Sequence, residues 1–262
     1  MSGKVIAIIN QKGGCAKTTS TLNLSMELAL LGKKVLMIDA DPQNDLTKWC
    51  IPEGVKKSLS NALAKETVGT NLEPLSVSEV IVNFRPNLDF LPANGDLSGN
   101  EIELQIAFDK ERVMQKMIEK AGLREKYDYI FIDCPPNLGS ITINTLTASD
   151  EFMIPIDAVF SAQNMNALFS LVTIIQQATN RSLAINGIFF TKVEDTKIVK
   201  EVQEAVRQKY KDYIYIYETE IHKGTKAVES VAAALPLAEY AKASKVSLNY
   251  ANLAKEFLKR EE

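Results

Sequence analysis

Residues 5–19 constrain this chain more than any other segment. An apolar run, Val5-Ile6-Ala7-Ile8-Ile9, breaks into Asn10-Gln11-Lys12-Gly13-Gly14-Cys15-Ala16-Lys17-Thr18-Thr19 and then continues as a helical pattern. A buried strand that ends in a glycine loop and runs straight into a helix builds an anion cradle. Loop N–H groups and the positive end of the helix dipole converge on one point, where Lys17 adds a charge and Thr18 a hydroxyl suited to Mg²⁺. The plain phosphate-loop pattern G-x-x-x-x-G-K-[ST] is nevertheless broken, because Gln11 and Ala16 stand where it has glycines.

The remaining pattern says what surrounds that loop. Short runs rich in Val, Ile and Phe at 5–9, 35–39, 88–91, 129–133, 152–156 and 185–191 alternate with helical patterns at 17–31, 111–121, 167–178, 196–210 and 246–259. Near-continuous apolar strands are buried on both faces, so the expected fold is α/β: a mostly parallel twisted sheet with helices on both faces. One domain covering residues 1–262 is expected, with 52–100 as an excursion between strands and no room before Val5 for a helix-turn-helix module. Val246, Tyr250, Leu253 and Phe257 recur at three- and four-residue steps, a stripe expected to dock on the core.

Composition excludes several chemistries. With His222 as its one histidine, the chain cannot build a multi-histidine metal site or a Ser-His-Asp triad independent of that residue. Three widely spaced cysteines, Cys15, Cys50 and Cys134, suit a reducing cytoplasm, and no apolar run nears the ~18 residues of a membrane span. A cytoplasmic protein is expected. The net charge of −3 means that any contact with a polyanion needs a local patch. Residues 1–180 hold 16 basic and 21 acidic side chains, whereas 181–262 hold 14 and 12, so the basic surplus is late and small.

Two further strand patterns end in acids. The run 35–39 leads into Asp39-Ala40-Asp41-Pro42-Gln43, and 129–133 leads into Asp133-Cys134-Pro135-Pro136. The second has the form of a carboxylate that holds Mg²⁺ directly or through water. Ligands of open parallel sheets gather at strand carboxyl ends, where all three segments lie.

Together these segments resemble one family. Lys12, five residues before Lys17, is similar to the signature lysine of the deviant Walker-A ATPases, the ParA/MinD family, whose motif K-G-G-x-G-K-[ST]-T is matched except at Ala16. Residues 39–43 resemble its D-x-D-P-Q segment and 133–139 its D-C-P-P-x-L-G segment. Residues 142–150 and the closing helix also look like the family, so the likeness spans nearly the whole chain, closest to short, Soj-like partition ATPases.

That resemblance implies a P-loop NTPase of deviant Walker-A type, an ATPase of slow intrinsic turnover using ATP and Mg²⁺. Lys12, Gly13, Gly14, Cys15, Ala16, Lys17, Thr18 and Thr19 would hold the nucleotide, Thr18, Asp39 and Asp133 the metal, and Asp41 the attacking water. Lys12 would cross a homodimer interface to the partner's phosphates, and the loop stiffened by Pro135 and Pro136 would sense the γ-phosphate. Residues 191–195, Thr-Lys-Val-Glu-Asp, are not the N-K-x-D guanine reader, which agrees with an adenine preference, and Ile221 and His222 fall near the expected base contacts. A methyl group at Ala16 is expected to crowd the loop. Cys15, at a helix N-terminus between lysines, is expected to have a lowered thiol pKa and to be reactive.

The implied output is DNA partitioning by a nucleoid-associated switch. The ATP dimer would bind DNA non-specifically and a ParB-like centromere-binding protein would stimulate hydrolysis. Candidate DNA contacts are Lys197, Lys200, Lys223, Lys226 and Lys245, with Arg207 and Lys242 nearby. No membrane association is expected; a MinD-like membrane-positioning ATPase and a metabolic ATP-dependent relative stay open as alternatives.

Overall fold

All six apolar runs become strands, and their alternation explains the layers. The computed structural model describes residues 2–67, 70–157 and 165–262. Its strands are β1 (Lys4–Ile8), β2 (Val35–Asp39), β3 (Val82–Arg85), β4 (Leu88–Leu91), β5 (Tyr129–Asp133), β6 (Glu151–Asp157) and β7 (Ala184–Thr191). They form one sheet in the order β3-β4-β2-β5-β1-β6-β7. All pairs are parallel except β3 with β4.

Every residue of β2 and β5 is buried, as the central position of these strands requires. Period two then divides the side chains between two faces. Ile6, Ile8, Val35, Met37, Tyr129 and Phe131 join helices Lys17–Leu30 and Lys245–Glu261, while Val5, Leu36, Ile38, Ile130 and Ile132 meet helices Leu59–Ala64 and Val113–Lys120. The expected sheet with helices on both faces is what forms.

The strand missing from the sequence reading is β3. It lies inside the 52–100 excursion and turns into β4 through Pro86 and Asn87, whose φ of 61° closes the hairpin. Its burial is only partial, as for an edge strand, so it lacks the continuous apolar run that marks the others.

The closing helix docks as its stripe predicts. Val246, Tyr250, Leu253 and Phe257 are all buried. Tyr250 shares a 3.0 Å hydrogen bond with Ser20, and Phe257 stacks edge-on against Tyr129 with ring centres 5.2 Å apart. At the far end Lys4 pairs with Glu261 at 2.7 Å. Among the described residues no helix is long and apolar enough to cross a membrane. Truncating Phe257→Ala should cost about 3–5 kcal/mol in urea unfolding, the range for a large aromatic removed from a packed core. A loss below about 1 kcal/mol would mean that the helix contributes little to the core.

Candidate nucleotide site

The strand order places the ends of β2, β5 and β1 side by side. Asp39 is registered opposite Asp133, and Asp133 opposite Ile8, so the two acids and the glycine loop open at one crevice. Leaving β1, Asn10 is anchored by donating from Nδ2 to the Pro155 carbonyl at 2.8 Å, and its Oδ1 accepts the Lys12 N–H at 3.0 Å. Gly14 (φ 77°) and Ala16 (φ 66°) both take the left-handed conformation, which curls the loop back into helix Lys17–Leu30. That helix has no side-chain cap and no acid in its first turn, so its leading N–H groups are available to an anion. Lys17 is buried, and its Nζ donates to the Lys12 carbonyl at 3.3 Å, holding the ammonium inside the curl.

The two acids are in different states of satisfaction. In the Asp39 carboxylate, Oδ2 accepts from the Thr47 N–H at 2.9 Å and hydroxyl at 2.7 Å, and Oδ1 from the Asp41 N–H at 3.2 Å. Burial still pushes its pKa up to about 7 against those bonds. Asp133 is 1% exposed; its Oδ1 receives a long 3.5 Å bond from Thr21, and its Oδ2 has no hydrogen-bond partner. Burial first, then the neighbouring Asp39 charge, push the Asp133 pKa well above the usual range, while Thr18 and Lys17 work in the opposite direction.

An orphaned carboxylate oxygen in the interior is costly unless a cation meets it. The donor set fits Mg²⁺, which takes one or two carboxylates and fills its other positions with water and phosphate oxygens. No cluster of three or more acidic, cysteine or histidine ligands occurs among the described residues, so a closed protein cage is not what is offered. Asp133 supplies the open oxygen and Thr18 lies beside it. Asp39, also expected as a ligand, already accepts a hydrogen bond on each oxygen. Asp41 accepts the Gln43 N–H at 2.9 Å and caps the turn that leads to helix Asp45–Cys50. Pro135 is buried and Pro136 exposed at the start of the 134–139 loop.

Two residues of this arrangement escaped the sequence reading. Thr47 clamps Asp39 and its hydroxyl also accepts the Ala93 N–H at 2.8 Å, which ties the ends of β2 and β4 together. Thr191, at the end of β7, donates from its buried hydroxyl to the Cys15 carbonyl at 3.0 Å. Neither stands in a motif; both are found only through contacts distant in sequence.

The family model described as "AAA domain" matches residues 3–185. The chain is 34% identical over 256 residues to the sporulation initiation inhibitor protein Soj of Bacillus subtilis, covering 97% of this chain and 98% of that protein. It is 35% identical over 264 residues to the chromosome-partitioning ATPase Soj of Treponema pallidum, covering 99% and 98%. The chain belongs to the ParA/MinD family of deviant Walker-A ATPases. Within the P-loop fold it is also similar to a solved cobyrinic acid a,c-diamide synthase from Mycobacterium smegmatis with bound ADP and magnesium. That likeness has a TM-score of 0.83 at 26% identity over 99% of this chain and 95% of the other.

Where the family motif has a glycine, this chain holds Ala16 in a glycine conformation. The methyl group does not block the curl, but the left-handed backbone costs an alanine about 1–2 kcal/mol. Two other expectations need correction. The Cys15 thiol is fully buried and donates to the Lys12 carbonyl at 3.2 Å; burial raises its pKa, outweighing the Lys17 charge, so it is not a reactive thiolate. Ile221 packs in the core, with its N–H donating to Phe190 and its carbonyl accepting from Val193, so its side chain does not face a base. His222 is half-buried, and its backbone N–H and ring both meet Asn249 Oδ1.

The late lysines expected to contact DNA stand beside acids. Lys197 pairs with Glu201 at 3.6 Å, Lys200 with Asp195, Lys223 with Glu194 at 2.8 Å and Lys226 with Glu229 at 2.7 Å. Arg207 pairs with Glu220 at 3.4 Å. The Lys245 charge faces Asp195 as well.

Relieving the strained alanine gives the first test of the loop: Ala16→Gly should stabilise the nucleotide-free protein by about 0.5–1 kcal/mol, the strain less the added chain entropy. A destabilisation would show that the left-handed position is not strained. The acids give a second. A carboxyl whose folded pKa is raised holds its proton more tightly folded than unfolded, so stability falls as pH rises, for Asp39 between 3.8 and about 7. Asp133→Asn should raise the melting temperature of the nucleotide-free protein at about pH 8, shrink that fall, and abolish Mg²⁺-dependent nucleotide binding. An unchanged pH profile would remove the claim that these acids are uncompensated.

Proposed function

We propose that this protein is an ATP-dependent partition switch: with ATP it forms a homodimer that binds DNA without sequence preference, and a ParB-like partner stimulates hydrolysis to reset it. The observation that carries the nucleotide chemistry is the partnerless Asp133 oxygen beside Lys17 and Thr18 at an uncapped helix start. The Soj relatives support the partitioning output.

The protein is an ATPase that uses ATP and Mg²⁺ as one 1–262 body. In this reading the backbone from Lys12 to Thr19 and the Lys17 ammonium hold the phosphates. Asp133 and the Thr18 hydroxyl would hold Mg²⁺, with Asp39 beside them, and the ion would neutralise phosphate charge there. Asp41 orients and accepts a proton from the attacking water. Lys12 reaches the partner subunit's phosphates, where a cation at developing charge accelerates phosphoryl transfer by about 10³–10⁵ in comparable systems. The 134–139 loop, stiffened by Pro135 and Pro136, reports the γ-phosphate, and the half-exposed His222 lies toward the base.

DNA contact by Lys197, Lys200, Lys223, Lys226 and Lys245 then requires exchange of partners. An exposed ion pair is worth only about 0–1 kcal/mol, so a DNA phosphate competes successfully with the carboxylates now facing these lysines. The protein would act in the cytoplasm on the nucleoid. A second reading, an amide-forming synthase, is favoured by the likeness to the diamide synthase and predicts an ATP-dependent product with small carboxylic acids.

The deciding experiment is binding to random-sequence DNA with ATP, with ADP and without nucleotide, alongside Asp41→Ala to slow hydrolysis. Binding with ATP alone, steeply weakened by salt and prolonged in the variant, is the expected result. No DNA binding in any state, with ATP-dependent dimerisation intact, would overturn the DNA output and leave the nucleotide switch.

A further inference from the structure

The structure assigns to Lys192 a part in holding the nucleotide's phosphate chain, an inference that rests on the nucleotide reading of the loop. Lys192 follows the last residue of β7 and has a φ of 52°. Its two neighbours are fixed in opposite directions. Thr191 is tethered to the Cys15 carbonyl, whereas Val193 is buried, donating its N–H to Ile221 and accepting the Lys223 N–H, each at 3.0 Å. The left-handed turn between them is one that lysine seldom adopts without an imposed reason. It sends the side chain across the glycine loop: the Lys192 Nζ stands 3.9 Å from where a Cβ on Gly14 would lie.

The charge at that point is not compensated by the acids nearest in sequence. Glu194 is taken by Lys223 at 2.8 Å and Asp195 by Lys200. Among the described residues Lys192 forms no ion pair, unlike Lys197, Lys200, Lys223 and Lys226. A cation standing over the exposed glycines of the loop, with buried Lys17 in the same loop, suits one kind of occupant, a multiply charged anion seated on the loop. Because it stands over Gly14, in the middle of the loop, it would bind the part of the chain common to nucleoside di- and triphosphates. Its contribution is to affinity rather than to the chemical step.

The test measures ATP and ADP dissociation constants and steady-state hydrolysis with Mg²⁺ for the full chain and for Lys192→Met, Lys192→Gly and Lys192→Arg. The glycine variant removes the charge while suiting the left-handed backbone, so a loss shared by Met and Gly is not a folding defect. Expected are dissociation constants raised about tenfold for ATP and ADP alike in Met and Gly, with the loss falling on KM and little on kcat. Arg should keep both constants within about threefold, as another cation able to reach phosphate. If the unaltered chain binds ATP and Lys192→Met binds it equally well, the inference is wrong and the nucleotide reading stands. A fall in kcat with unchanged dissociation constants would likewise overturn it, as would failure of Arg to rescue. If the unaltered chain binds neither nucleotide, the nucleotide reading itself fails.

Discussion

Two carboxylates buried side by side at the ends of adjacent strands are the constraint on which this site depends. Neighbouring Asp39 and Asp133 cannot both ionise cheaply away from water, and the fold gives hydrogen bonds to both oxygens of only one of them. Thr47 and the Asp41 N–H satisfy Asp39; Asp133 keeps an oxygen without a partner. The nucleotide-free protein therefore carries an electrostatic deficit that a divalent cation removes. Binding and stability are coupled through that deficit, since a ligand that relieves it stabilises the folded state.

The loop opposite stores the other part of the arrangement as backbone strain. Ala16 and Lys192 both take a conformation that favours glycine, one on each side of the Gly14 curl. Each is overdetermined by what surrounds it: Ala16 by the helix that begins at Lys17, Lys192 by the tethered Thr191 and the buried Val193. Strain of this kind persists only where neighbours impose it, and here they are the helix that begins at Lys17 and the end of β7 with the residues just after it. The loop is thus shaped by elements remote in sequence as well as by its own motif.

Surface charge in the late region follows a different logic. Lys197, Lys200, Lys223 and Lys226 are spaced along helices and turns that also carry acids, so each of these four pairs with a carboxylate within a few residues or on the next element. Such pairs are individually weak and screened by salt. Paired in this way, these four lysines add little net positive charge to the surface of the isolated protein.

The sequence by itself determined the strands that bear the site, because apolar runs of five to eight residues can be satisfied only by burial on both faces. It also placed the glycine loop of residues 12–19 and the acids at 39, 41 and 133 at the carboxyl ends of strands, since local spacing on one strand and its turn fixes where those groups stand. The edge strand β3 was illegible because its half-exposed residues lack that signature. Only the tertiary structure decided which acid keeps an open oxygen, that Cys15 is sealed rather than reactive, that Ile221 belongs to the core, and that the late lysines face acids. Those outcomes depend on Thr47, Thr191, Val193 and Asn249, each of which acts on an element remote in sequence or on a neighbour whose burial no local pattern reports. Hydrogen-bond satisfaction and burial are properties of the packed molecule, and single-sequence periodicity carries no information about them.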